Sequence, residues 1–176
     1  VNDDVDDGDV SSTITVSVGG STADSKYNLL TSKTVSVTTI DNDVAGFTIK
    51  PNGGISATEG GNNGTFTVEL DSQPTGTVVL SIQANAEASV SPATLTFDNS
   101  STDWKTPKTV TVTAVDDDVD DGDVSSTITV SVNEDSTADT KYDDLSSKTV
   151  SVTTIDNDSA NFLVSQSTAV VSENGS

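Results

Sequence analysis

The sequence predicts an all-β chain: an immunoglobulin-like antiparallel β-sandwich of about seven strands, repeated in tandem. Three observations carry this. Short segments alternate apolar and polar residues with period two, as half-buried strands do. No stretch shows helical periodicity. And the chain repeats itself over the length of a domain: DDVDDGDVSSTITVSV starts at Asp3 and again at Asp117, and KTVSVTTIDND starts at Lys33 and again at Lys148. The offsets, 114 and 115 residues, differ by one insertion, where Val18-Gly-Gly-Ser becomes Val132-Asn-Glu-Asp-Ser. A period of that size is one domain, not a solenoid unit.

Phe47 and Ile49 open a first strand over about 46–58. Phe66, Val68 and Leu70 mark a second near 65–70, and Val78, Leu80 and Ile82 a third near 77–83. Leu95 with Phe97 gives a fourth near 93–97, and Val110, Val112 and Ala114 a fifth near 108–114. Ile128, Val130 and Val132 fall in a sixth near 125–132, and Val150 and Val152 in a seventh near 148–155. The interleaved Ser and Thr residues suit a solvated strand face. Pro74, Pro92, Pro107 and the Asn-Gly pairs punctuate the gaps. Residues 44–158 thus hold one complete copy. Residues 1–43 hold the C-terminal part of another, its acidic loop and last two strands, and 159–176 the first strand of a third. Neither flank has the strands to bury a face alone.

Asp and Glu number 28 against 7 Lys and Arg, a net charge of −21, and there is no His, Cys or Met. Such a balance excludes nucleic acid and anionic membrane surfaces as partners. It also excludes typical zinc sites, disulfides and Cys–His catalysis. No Ser can have a His base, and no Gly-rich loop precedes a helix to hold phosphate. Paired carboxylates cleaving a sugar would need aromatic platforms, and the chain has one Trp and two Tyr. Hence no enzyme is expected. Trp104 reads as a packing residue, and Tyr27 and Tyr142 as caps on the core. No segment reads as a signal peptide or membrane span. Asn63, Asn99, Asn157 and Asn174 match the glycosylation sequon, as chance produces in a chain rich in Asn, Ser and Thr.

Strand parity adds what counting does not. If successive loops alternate between the ends of the sandwich, Glu59, the run Asp116–Asp123 and the pair Asp156 and Asp158 meet at one end. Packed carboxylates repel unless cations lie between them. Calcium, which accepts six to eight oxygens in flexible geometry, suits three converging loops better than magnesium, which keeps its waters. The competing reading is a solvated acidic face. An EF-hand is excluded, because Gly122 falls one position late and Thr127 stands where the loop needs Glu.

At these residues the chain resembles a Calx-beta domain. The motifs are Glu59-Gly60-Gly61, Phe66-Thr-Val-Glu-Leu, Leu95-Thr-Phe, Trp104 with Pro107, Val110-Thr-Val-Thr-Ala-Val-Asp-Asp-Asp, and Ile155-Asp-Asn-Asp158. The resemblance covers about 44–158 and the matching parts of both flanks. It implies calcium ligands at Glu59, Asp116, Asp117, Asp121, Asp156 and Asp158, with a backbone carbonyl near Val119. In the partial copies it implies Asp3, Asp7, Asp41 and Asp43, and Glu173 as the match to Glu59. Val124, Ser125 and Asn157 stand where the exchanger pattern has or can have acidic residues, and the acidic residue between its third and fourth strands has no clear match, so fewer or weaker sites are implied. The expected role is a calcium-stiffened structural or adhesive repeat of a large extracellular, bacterial cell-surface protein, with neighbouring repeats as partners. Two alternatives share the fold: a module binding a host protein or glycan through the loop between the last two strands, and a self-assembling filament joined by strand exchange.

Overall fold

In Gly64–Leu70 the alternate residues Gly64, Phe66, Val68 and Leu70 are buried while Thr65 faces solvent. The same alternation builds every long strand of the complete copy. The computed structural model describes residues 2–19, 23–51, 53–171 and 173. The strands are β1 Val10–Val16, β2 Lys33–Thr39, β3 Phe47–Lys50, β4 Ile55–Thr58, β5 Gly64–Leu70, β6 Val78–Gln83, β7 Ala88–Ser91, β8 Thr94–Phe97, β9 Lys108–Ala114, β10 Val124–Val132 and β11 Lys148–Ile155. A one-turn helix, α1, spans Thr140–Asp143 between β10 and β11.

Residues of the complete copy form an immunoglobulin-like β-sandwich. One sheet has the order β3-β5-β9-β7, the other β4-β11-β10-β6-β8. All pairings are antiparallel except β4 with β11, which is parallel, Val152 facing Ile55 and Ile155 facing Thr58. Phe47, Phe66, Phe97, Leu80, Ile128 and Val110 are fully buried between the sheets, with Trp104 and Tyr142 in the same core.

Nine strands replace the seven expected, for two reasons. The first strand divides at Pro51: β3 pairs with β5, and the chain then crosses to the other sheet as β4. A second crossing occurs at Pro92, between β7, which pairs with β9, and β8, which pairs with β6. Proline has no N–H to give a ladder, so both ladders end there. β7 escaped sequence reading because Ala88-Ser-Val-Ser91 is short and offers only two apolar residues.

β1 and β2 form the expected hairpin, in the register of its twin. Val10 faces Thr39 as Val124 faces Thr154, and Val16 faces Lys33 as Val130 faces Lys148. Its inner face is bare. Ile14 is 55% exposed and Val35 54%, where their counterparts Ile128 and Val150 are 0% and 4% exposed. Tyr27, expected as a core cap, is 54% exposed, because β1 and β2 have no second sheet over them. Residues 159–171 form no strand, contrary to expectation. No described strand lies beside them as β5 and β11 lie beside β3 and β4. Asn174 and its sequon lie outside the described residues.

Candidate cation site

The crossings at Pro51 and Pro92 leave strand direction unchanged, so the parity expected from sequence survives them. β4 ends beside the end of β11, and the Glu59 N–H extends that ladder by donating to the Ile155 carbonyl at 3.0 Å. The loop after β9 reaches the same end. There the Asn157 side-chain amide donates to the Glu59 carbonyl at 2.6 Å and to Asp116 Oδ1 at 3.0 Å. Gly60, at φ +57°, makes the turn that lets Asp116 approach this closely.

Glu59, Asp156 and Asp158 each bring a carboxylate oxygen to within 4.8 Å of the others. Among the described residues this is the one set of three acidic side chains so close. Glu59 is only 6% exposed. Its Oε2 and Asp158 Oδ2 are buried without a hydrogen-bond partner. Burial, followed by the charges of Asp156, Asp117, Asp121 and Asp158, raises the pKa of Glu59. Burial and then Asp156, Asp118, Asp117 and Asp116 raise that of Asp158. Asp156 is lowered instead, because the Asp158 and Gly122 amides donate to it.

Asp116, Asp117 and Asp121 reach this end but stay exposed and outside the tight set. Asp116 Oδ1 is held by Asn157, and Asp117 Oδ1 accepts from the Val119 N–H at 2.8 Å. The Val119 carbonyl, an expected ligand, accepts from the Asp121 N–H at 2.8 Å. Asp120, outside the expected ligand set, holds the linker: its Oδ2 accepts from Ala160 N–H at 2.5 Å. Asn157, which stands where the resemblance allows an acid, is the donor that joins its own turn to both other loops. Glu87, from the loop between the strands β6 and β7, also reaches this end. Its carbonyl accepts from Val115 N–H at 3.0 Å and Thr154 Oγ1 at 3.3 Å.

The first copy repeats the same bonds. Gly8 N–H donates to Asp41 as Gly122 does to Asp156, at 2.6 and 2.7 Å. Asp43 N–H donates to Asp41 as Asp158 does to Asp156, at 2.9 and 2.7 Å. Val5 N–H donates to Asp3 as Val119 does to Asp117, at 3.1 and 2.8 Å. Asp3, Asp7, Asp41 and Asp43 line one open hollow of about 440 Å³ there, with no glutamate among its described lining residues. Glu173 is exposed and belongs to no such group.

The donor set is all oxygen, with two buried carboxylate oxygens unsatisfied. It fits a hard divalent cation and neither a soft metal nor a redox group.

No family model matches the chain, and no curated protein matches it. Among solved structures it is similar to the periplasmic chaperone SfaE, at 9% identity over 64% of this chain and 57% of that one, with a TM-score of 0.44. The E. coli chaperone DraB gives 10%, 65%, 57% and 0.46 for the same quantities. WR4, an MSP family member of C. elegans, gives 13%, 62%, 96% and 0.37. The chain spans 57% of the length of each chaperone. Likeness at this level says nothing of ligand or partner.

Proposed function

We propose that this chain is a stretch of tandem calcium-binding sandwiches of Calx-beta type, in which the ion stiffens the end of each repeat where the chain enters the next. The reading assigns it to a structural or adhesive protein outside the cell, where calcium is plentiful. The observation that carries it is the pair of unsatisfied buried oxygens, Glu59 Oε2 and Asp158 Oδ2, in a group of three carboxylates within 4.8 Å. A buried carboxylate oxygen without a donor is costly unless a cation meets it. Glu59, Asp156 and Asp158 would hold the ion, with Asp116, Asp117 and Asp121 supplying outer negative charge. Calcium tolerates the irregular, partly bidentate geometry that such loops offer, whereas magnesium demands a near-ideal octahedron.

Thermal unfolding of the full chain in calcium, in magnesium and in chelator tests this. A ligand at a hundredfold excess over its Kd stabilises by about 2.7 kcal/mol, which in a domain of this size is a rise of roughly 10 °C. The rise should be specific to calcium and absent in Asp158→Asn. No shift in wild type would mean that the acidic end is a solvated face.

A further inference from the structure

We infer that the acidic loop of one repeat and the α1 end of the next form a two-point joint that needs no metal ion, with Asp6 and Lys141 as its ionic half and Asp4 and Gln73 as its backbone half. The inference stands apart from the calcium reading, since none of these four residues belongs to the three-carboxylate set.

The receiving side is held by bonds that do not involve the loop. Asp139, 5% exposed, caps α1 by accepting from Lys141 N–H through Oδ1 at 3.0 Å. Its Oδ2 accepts from Thr75 N–H in the β5–β6 loop at 2.7 Å. Tyr142, on the same turn, donates its hydroxyl to the Ser72 carbonyl at 2.7 Å. The β5–β6 loop is thus bolted to α1 on both sides of Gln73. This fixes the Gln73 N–H relative to the Lys141 main chain, so that one donor and one ammonium are presented side by side.

The acidic loop presents the complement two residues apart. The Asp4 carbonyl accepts from Gln73 N–H at 2.6 Å, and Asp6 Oδ1 accepts from Lys141 Nζ at 2.8 Å. Asp6 Oδ2 at the same time accepts from the Ala45 N–H of the linker at 2.9 Å. One carboxylate therefore holds the loop, the linker and the following repeat. A single exposed ion pair contributes little to stability, but two fixed points set a direction, which one cannot.

The halves recur. Asp120 holds Ala160 as Asp6 holds Ala45, and the Asp118 carbonyl stands where the Asp4 carbonyl does, so a following copy meets the same two groups. Lys26 N–H bonds to Asp24 Oδ1 at 3.0 Å, as Lys141 does to Asp139. The partner this surface fits is another copy of the same repeat.

The test is amide hydrogen exchange of the full chain by NMR, in calcium and in chelator. In Lys141→Glu, exchange at Gln73 should quicken about threefold or more, as expected when a surface joint opens locally. Lys141→Arg should keep the wild-type rate, and so should Lys26→Glu, which alters the same residue in the other copy. Asp6→Ala, which leaves the sandwich untouched, should release Gln73 as Lys141→Glu does. The effect should be equal with and without calcium. An unchanged Gln73 rate in both Lys141→Glu and Asp6→Ala overturns the joint. A release seen only in chelator would make the cation the joint and overturn it equally.

Discussion

The Asn157 side-chain amide donates to the Glu59 main-chain carbonyl at 2.6 Å, tying the turn after β11 to the turn after β4. The same nitrogen reaches Asp116, so a neutral donor sits among carboxylates where one more acid would add charge. Asn157→Asp removes two donated bonds and is expected to cost about 1–2 kcal/mol in chelator. Calcium should recover a larger share of stability in this variant than in wild type. Melting curves in the two conditions measure both effects.

Glu59 gives a pH dependence with a definite sign. Its pKa is raised by burial and by Asp156, Asp117, Asp121 and Asp158, so the folded chain binds its proton more tightly than the unfolded chain does. Without a cation, its contribution is favourable below the ordinary glutamate pKa and is lost as pH rises through the raised value. Glu59→Gln should therefore match wild type in acid and exceed it at neutral pH in chelator. In calcium the order should reverse at neutral pH. Paired melting series across pH check this, and a constant offset between the two proteins would refute it.

Two glycines with positive φ separate backbone cost from crowding. Gly122, at φ +78°, has nothing within 4 Å of an added Cβ, while at Gly60 that atom would lie 2.9 Å from Asp116 Oδ1. Gly122→Ala should cost about 1–2 kcal/mol for its backbone alone. Gly60→Ala should cost more and should also weaken calcium binding. Melting and calcium titration of both variants decide it.

Tyr142 is fully buried, and its hydroxyl bonds the Ser72 carbonyl and the Ser72 Oγ. Tyr142→Phe leaves those groups unpaired and should cost roughly 1–3 kcal/mol. Tyr27→Phe, the same change at an exposed twin, should stay within about 0.5 kcal/mol. Denaturant melts distinguish them.

Ile128 and Ile14 occupy the same place in identical sequence. Ile128→Ala should cost about 2–5 kcal/mol, as in a packed core, and Ile14→Ala no more than about 0.5 kcal/mol. Equal losses would mean that the β1–β2 face is covered in solution.

Much of this was legible in the sequence because period-two alternation is a local signal and domain-length identity needs no knowledge of contacts. Phe66-Thr-Val-Glu-Leu could only be a half-buried strand, and the repeated pair of VSSTITV with KTVSVTT could only keep one register in both copies. The convergence of Glu59 with Asp156 and Asp158 followed from strand direction alone, and direction is unchanged when a strand changes sheets. What was not legible depends on partners. Nothing in Ser-Ala-Thr before Glu59 says that β4 leaves β3 to lie parallel to β11, since that choice rests on Pro51 and on the free edge of β11. The role of Asn157 was hidden for the same reason: an amide among acids looks like a lost ligand until its two acceptors are placed around it. Likewise α1 is a single turn, too short for periodicity, held by the Asp139 cap and the Tyr142 anchor.

The parallel pairing of β4 with β11 bears on tension. A pull along the chain draws β4 by its leading end and β11 by its trailing end, in opposite senses along their shared length. The rungs from Ile55–Val152 to Thr58–Ile155 are then sheared together instead of being unzipped one by one. Glu59 and Asp156 follow directly on the ends of the two sheared strands, so an ion held between them would resist that shear where β4 and β11 end side by side.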